Sequence, residues 1–355
     1  MRVLVTGGAG FVGANVSVAF AQRHPDWEIL ALDNLRRRGS ELNLPRLREA
    51  GVAFVHGDVR EPGDLEGAGD VDAIVECSAE PSALAGIDSG LDYLVHTNLV
   101  GAYNCLELAR RHGAVFVFLS TSRVYPVRLL NLLRLEEADT RYELASAQEV
   151  AGVSRAGISE DFPLNGARSF YGSTKLAAEL LVGEYVETFG LKGIVNRCGV
   201  IAGPWQMGTV DQGVFTYWLL AHYFGRPLRY LGFGGSGKQV RDLLHVADLV
   251  DLLDEQLAAP DTWAGTTFNV GGGRTGSLSL AELTDICREI TGRRVAIESA
   301  AEEPRPGDVP VYLSDCDRVF RHSGWRPRRD PRGILGDVFE WVQANEQAVR
   351  SALID

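Results

Sequence analysis

The sequence predicts an α/β protein: a Rossmann-type doubly wound parallel sheet with a smaller C-terminal α/β substrate domain. Three observations carry this prediction. Short apolar runs alternate with helical stretches through the first 120 residues. A Gly-x-x-Gly-x-x-Gly loop joins the first run to the first helical stretch. An aspartate, Asp33, ends the second run 20 residues after the last of those glycines.

The runs read as strands at Val3–Thr6, Glu28–Asp33, Ala53–Gly57, Ala73–Cys77 and Val115–Ser120. Most are continuous β-branched and aliphatic segments, as expected where helices cover a parallel strand on both faces. The intervals between them suit helices, which makes the series βαβ. Residues 127–165 break the rhythm with Arg, Leu, Glu and Ala, and are expected to be an insert, partly helical. The rhythm resumes with a helix near 172–189 and a strand near 193–198. Past residue 200, Gly and Pro become frequent and the pattern is mixed. Residues 1–200 therefore read as a nucleotide-binding domain. Residues 201–355 read as mainly a second domain, interleaved with late elements of the large sheet.

Composition excludes several functions. The chain has 355 residues, 35 basic against 47 acidic, and a net charge of −12 without a basic tract, so nucleic acid is not an expected partner. No apolar run reaches the ~18 residues needed to span a bilayer. Met1 leads directly into a strand, so a secretory signal is not expected and a cytoplasmic location is. Five widely spaced cysteines without Cys-x-x-Cys fit reduced thiols. His and Cys show no zinc-ligand spacing, and no metal is expected. Only three lysines occur in the chain: Lys175, Lys192 and Lys238.

In Gly7-Gly8-Ala9-Gly10-Phe11-Val12-Gly13 small residues let backbone approach a pyrophosphate, whose charge the helix N-terminus stabilises. Asp33 can accept hydrogen bonds from the adenosine ribose and would repel a 2′-phosphate, so NAD is favoured over NADP. Arg36, Arg37 and Arg38 argue the other way. Asp58 either caps the adenine edge or is an ordinary turn aspartate.

Tyr171-Gly-Ser-Thr-Lys175 opens a helical stretch and puts phenol and ammonium on one helix face. A phenol near pKa 10 is a poor base at neutral pH, and a lysine cation beside it lowers that value. Arginine's broad fork is no substitute for the compact ammonium. Leu119-Ser120-Thr121-Ser122-Arg123-Val124-Tyr125 ends a strand in hydroxyls that can bond a substrate oxygen.

Together these residues resemble the extended short-chain dehydrogenase/reductase family of nucleotide-sugar epimerases and dehydratases, over nearly the whole chain. The C-terminal half adds Gly237–Asp248, Phe268-Asn269-Val270-Gly271-Gly272 and Arg305-Pro-Gly-Asp308. Within the family the chain is most similar to the CDP-paratose 2-epimerase subgroup. The similarity lies in Asp33-Asn34-Leu35, in the insert with Thr140-Arg141-Tyr142, and in Asp211-Gln212-Gly213 and Gly235–Asp242. It implies inversion of C2 of a CDP-3,6-dideoxyhexose through a transient keto-sugar, with bound NAD taking and returning the hydride.

The resemblance implies a residue set as well. Thr121, Tyr171 and Lys175 would be catalytic. Gly7, Gly10, Phe11, Val12, Asp33, Asn34, Asp58, Val59, Ser78 and Asn98, with Tyr171 and Lys175, would hold NAD. Ser122, Arg123, Arg197, Gln206, Gln212, Gln239, Arg241, Arg305 and Asp308 would take the nucleotide-sugar, a CDP-sugar being favoured. Relatives pair through the Tyr-x-x-x-Lys helix and the helix near 99–112, which implies a homodimer or homotetramer.

Three departures stand out. Glu76-Cys77-Ser78-Ala79-Glu80 replaces the family's usual His-containing end of the fourth strand. Pro126 replaces a common glycine, and Cys198–Ala202 replaces a polar stretch. The dehydratases place Asp-Glu directly after the active-site hydroxyl; Ser122 and Arg123 stand there, so dehydration is not expected. A 4-epimerase or decarboxylase of a UDP-sugar, a net dehydrogenase, and a catalytically silent NAD-binding regulator are the rival readings.

Overall fold

The computed structural model describes every residue except 83, 88–89, 209–212, 301–306 and 354–355. The chain forms two compact units, each built from several segments. The first comprises Met1–Thr121, Phe170–Arg197 and Leu249–Thr267; the second comprises Ser122–Ser169, Cys198–Asp248 and Phe268–Asp355.

The first unit carries most of the large sheet. Its strands are β1 (Arg2–Thr6), β2 (Glu28–Asp33), β3 (Ala53–His56), β4 (Ala73–Glu76), β5 (Val115–Thr121), β6 (Gly193–Cys198) and β7 (Thr267–Val270), in the order β7-β6-β5-β4-β1-β2-β3. This is the doubly wound arrangement expected from the sequence, with its switch point between β1 and β4, where such sheets bind ligands. The register lines up Thr6 with Leu32 on β2 and with Glu76 on β4, and Glu76 with Phe118 on β5. One row of residues therefore ends the central strands together.

One face of that sheet is a continuous core. Leu4, Ile74, Phe116 and Phe118 pack with Cys105, Leu106 and Ala109 of α2 (Gly101–His112) and with Ala178 and Val182 of α3 (Phe170–Phe189). Side chains alternate faces along a strand, so Glu76 follows Ile74 on this apolar face, at its C-terminal edge. Helix α1 (Phe11–Arg23) begins directly after the glycine loop.

In the second unit, Val240–His245 is the hub strand. It pairs in parallel with Val200–Ala202 and Val311–Tyr312 and antiparallel with Ser277–Ser279. The insert is less helical than its composition suggests. It contains one short helix, Val127–Leu130, and two hairpins, Leu135–Glu137 with Tyr142–Leu144 and Val153–Ser154 with Gly157–Ile158. Docking explains the first hairpin. Tyr142 N–H donates to Lys238 O at 3.0 Å, Ser279 Oγ donates to Thr140 O at 2.7 Å, and Arg141 Nη2 donates to Ser277 Oγ at 2.6 Å. Helix propensity is a weak prior, and these partners override it.

Candidate active site

The glycine loop is shaped by close approach. Gly7 has φ +60°, and a Cβ on it would lie 3.0 Å from the backbone carbonyl of Cys77. A Cβ on Gly13 would lie 2.2 Å from Gly7 O, which nothing but glycine avoids. Gly10 is the N-cap of α1; no side chain caps that terminus, and its first turn holds no acid. Its backbone amides and dipole thus suit an anion.

Asp33 is almost buried and held in place: Ala9 N–H donates to its Oδ2 at 3.1 Å and Leu35 N–H to its Oδ1 at 2.8 Å. Burial pushes its carboxyl above the ordinary range, against these N–H donors. Two of the three competing arginines engage other groups. The Arg36 guanidinium stacks on Tyr93 at 3.9 Å from the ring centre, and Arg37 is held electrostatically by Glu80.

Asp58 is engaged as a turn residue. Its Oδ1 accepts from the Arg60 backbone N–H at 3.0 Å; Arg60 Nη2 and Asn34 Nδ2 reach Oδ2 at 2.7 and 2.8 Å. Burial raises its carboxyl, but Arg60 and Asn34 outweigh that and bring it to about 2. Val59 is buried, and Asn104 Nδ2 donates to its carbonyl.

Asn98 lies in a π-turn, His96–Val100, a feature common beside functional sites. It exchanges hydrogen bonds with the Glu80 backbone, Glu80 N–H to Oδ1 at 2.8 Å and Nδ2 to Glu80 O at 3.1 Å. It also donates to Thr174 Oγ1 at 3.3 Å, tying the loop that carries Ser78 to α3.

Tyr171 and Lys175 fall at the start of α3, the phenol half-buried and the ammonium 2% exposed. Lys175 Nζ lies 3.3 Å from Glu76 Oε2 and 4.4 Å from the centre of the Phe118 ring. One turn further on, Glu179 continues the same face. Its carboxylate accepts from Ser120 Oγ at 2.5 Å and from Arg197, Nε at 3.1 Å and Nη2 at 2.7 Å. Thr121, the last residue of β5, is buried beside Ser120 in sequence.

The structure therefore pairs Lys175 with Glu76 in a buried setting, with the partly buried Tyr171 one helical turn earlier on α3. Arg197, expected at the substrate, is a buried residue whose guanidinium pairs with Glu179, linking α3 to β6. Glu76 and Glu179 were not singled out from sequence. Glu179 had a signal, the i+4 step beyond Lys175; Glu76 showed only as a departure from the family.

In the second unit, Arg241 Nη2 donates to Asp308 Oδ1 at 2.6 Å and to Val309 O at 2.7 Å, and Arg123 Nη1 donates to Gly307 O at 2.8 Å. Burial lowers the Arg241 pKa, and the nearby Arg123 charge adds to that. The Asp308 and Asp242 charges act the other way on Arg241. Gln239 Nε2 donates to Leu231 O at 3.3 Å, and Gln206 Nε2 to Ile201 O at 2.9 Å. Ser122 opens the turn after β5. Gln212 and Arg305 lie outside the described residues.

Residues 3–271 match the NAD-dependent epimerase/dehydratase family. The chain belongs to that family. It is 28% identical to the CDP-paratose 2-epimerase of Salmonella typhi, over 97% of this chain and 100% of that one. It is 30% identical to a dTDP-glucose 4,6-dehydratase of Mycolicibacterium smegmatis, over 98% of this chain and 94% of that one. Among solved structures, the UDP-glucose 4-epimerase of Thermus thermophilus in complex with NAD matches with a TM-score of 0.74 and 27% identity, covering 97% and 100% of the two chains. Pal from Bacillus thuringiensis shares the fold, with a TM-score of 0.79 at 24% identity over 97% and 99%.

The protein is thus an NAD-dependent enzyme of the epimerase/dehydratase family. The residues fit the cofactor: an uncapped helix N-terminus behind a glycine cradle for the pyrophosphate, and an oriented Asp33 at the end of β2 for the ribose. Among the described residues no helix is long and apolar enough to cross a membrane, and no group of His, Cys, Asp or Glu is arranged to hold a metal.

Proposed function

We propose that the enzyme inverts C2 of a CDP-3,6-dideoxyhexose. The observation that carries this reading is the Tyr171–Lys175 face of α3 in an NAD-binding fold that lacks the dehydratase acid pair after Thr121. The full-length similarity to a CDP-paratose 2-epimerase supports the choice of sugar.

NAD bound in such a site supplies a reversible hydride acceptor, so the sugar alcohol can pass through a ketone with no net redox change. Tyr171 takes the hydroxyl proton as phenolate and returns it as phenol. Lys175 favours the ionised phenol electrostatically. Thr121 donates a hydrogen bond to the oxygen that changes between alcohol and ketone. Arg123 and Arg241 offer guanidinium donors that match the oxygens of a nucleotide diphosphate. Asp33 excludes a 2′-phosphate.

We also infer a homodimer formed through α2 and α3. Both helices pack in the first unit and expose large apolar side chains, Tyr103 at 45%, Leu180 at 67% and Phe189 at 55%.

The test is a panel of CDP-, UDP- and GDP-sugars incubated with the NAD-loaded enzyme in deuterated buffer and followed by NMR. C2 inversion without deuterium at that carbon is the expected result. Inversion at C4 of a UDP-sugar would replace the substrate assignment, and deuterium at the inverted carbon would replace hydride return with enolisation. Tyr171→Phe is expected to lose turnover by about a hundredfold or more with NAD still bound.

A further inference from the structure

We propose that Glu76 is a positioning residue for the Tyr171–Lys175 pair: its carboxylate fixes the Lys175 ammonium against Phe118 and offsets its charge. The proposal rests on the reading of Tyr171 as the base.

The geometry is specific. Glu76 ends β4 between Thr6 and Phe118, on the sheet face otherwise filled by Leu4, Ile74 and Phe116. It is 1% exposed and Lys175 is 2% exposed, with 3.3 Å between Nζ and Oε2. A carboxylate in an apolar layer persists only with a partner. Burial pushes the Glu76 carboxyl up; the Lys175 charge and the Ser78 backbone N–H act against that. Lysine's flexible stem would otherwise let the ammonium take several positions. The ion pair and the Phe118 ring at 4.4 Å leave it one.

The surrounding charges are accounted for. From α2 the Cys105 thiol faces the pair, and burial, with the Glu76 charge added, keeps it protonated. From α3 come Tyr171 and Glu179. Glu179 is balanced by Arg197 of β6 and bonded by Ser120 of β5. The Glu76–Lys175 and Glu179–Arg197 pairs are each neutral. An unopposed ammonium would drive the phenol strongly toward phenolate. A group that takes a proton and hands it back in one turnover works best with a pKa near the working pH. Glu76 holds Tyr171 in that range by limiting what Lys175 does to it.

The experiment is ultraviolet difference titration of tyrosinate in the NAD-loaded full chain, with the Tyr171→Phe curve subtracted to isolate one phenol. Glu76→Gln is expected to lower that phenol's pKa by about one unit or more, as removal of a nearby unit charge should. Glu76→Asp, which keeps the charge, is expected to stay within about half a unit of wild type. Should Glu76→Gln not fold, Glu76→Gln/Lys175→Met leaves no buried charge. Its phenol should rise, but by only about half a unit, well short of what loss of an unopposed ammonium would cause. A rise of about one unit or more in the double variant, or a wild-type titration unmoved by Glu76→Gln, overturns the role of Glu76. A wild-type curve identical to Tyr171→Phe overturns the base reading and this proposal with it.

Discussion

Replacing Glu179 by leucine probes the buried Glu179–Arg197 pair beneath the helix that carries Tyr171 and tests whether Arg197 serves as a strut. The Glu179 and Arg197 side chains are 5% and 7% exposed and joined by three contacts between 2.7 and 3.1 Å. Removing the carboxylate takes from a buried guanidinium the charge that offsets it, at a cost of about 3–5 kcal/mol. The Ser120 hydroxyl loses its acceptor as well, for about 1 kcal/mol more. Against a total stability of about 5–15 kcal/mol this is a severe change. The double variant Glu179→Leu/Arg197→Met removes both charges and should cost no more than about 2 kcal/mol, most of it from Ser120. Urea unfolding of the full chain measures both, and the cycle yields the coupling. CDP and UDP affinity of the double variant gives the second readout. A strut predicts affinity within about threefold of wild type, whereas loss of a phosphate contact predicts about tenfold or more. A Glu179→Leu cost below about 1 kcal/mol, or a double variant as unstable as the single, would refute the strut.

Gly13→Ala should abolish NAD retention, measured by cofactor absorbance of the purified protein, because its Cβ would sit 2.2 Å from Gly7 O. Asp242→Asn should change stability in a pH-dependent way. Burial raises the Asp242 carboxyl from 3.8 to about 6, against bonds from Ser314 and from the Gly273 N–H. A raised folded-state pKa means the wild type loses stability as pH climbs from about 4 to about 6, and the loss saturates above that at about 3 kcal/mol. Relative to wild type, the variant should therefore gain about that much between pH 4 and pH 7 in thermal or urea unfolding, and a flat difference would contradict the assignment. Leu180→Glu, which puts a charge on a side chain 67% exposed on α3, should convert a dimer to a monomer in light scattering; an unchanged mass would exclude that interface.

The NAD-binding fold was legible because its signals are local. A glycine triplet must adjoin the helix it opens, Asp33 must end the next strand, and Tyr171 and Lys175 must stand one helical turn apart. Such relations are spacings, and spacings are written in the chain. The strand ends were read to within one residue for the same reason: Thr121 rather than Ser120 ends β5, and Glu76 rather than Cys77 ends β4. The insert was harder. Its Leu, Arg, Glu and Ala favour helix, yet Thr140, Arg141 and Tyr142 are bound by Ser277, Ser279 and Lys238, more than 90 positions away in the chain. Those partners decided for a hairpin.

The sequence by itself determined the sheet, the NAD fold and the placing of Tyr171 one helical turn before one of only three lysines. Tertiary structure decided which charge meets which. Whether a buried arginine serves the substrate or the scaffold depends on the nearest carboxylate, and Glu179 reaches Arg197 from another element. Glu76, a departure by sequence, became the counter-ion of Lys175 because register placed it beside Phe118 under α3. Electrostatic roles follow distance and burial, which no spacing along the chain expresses.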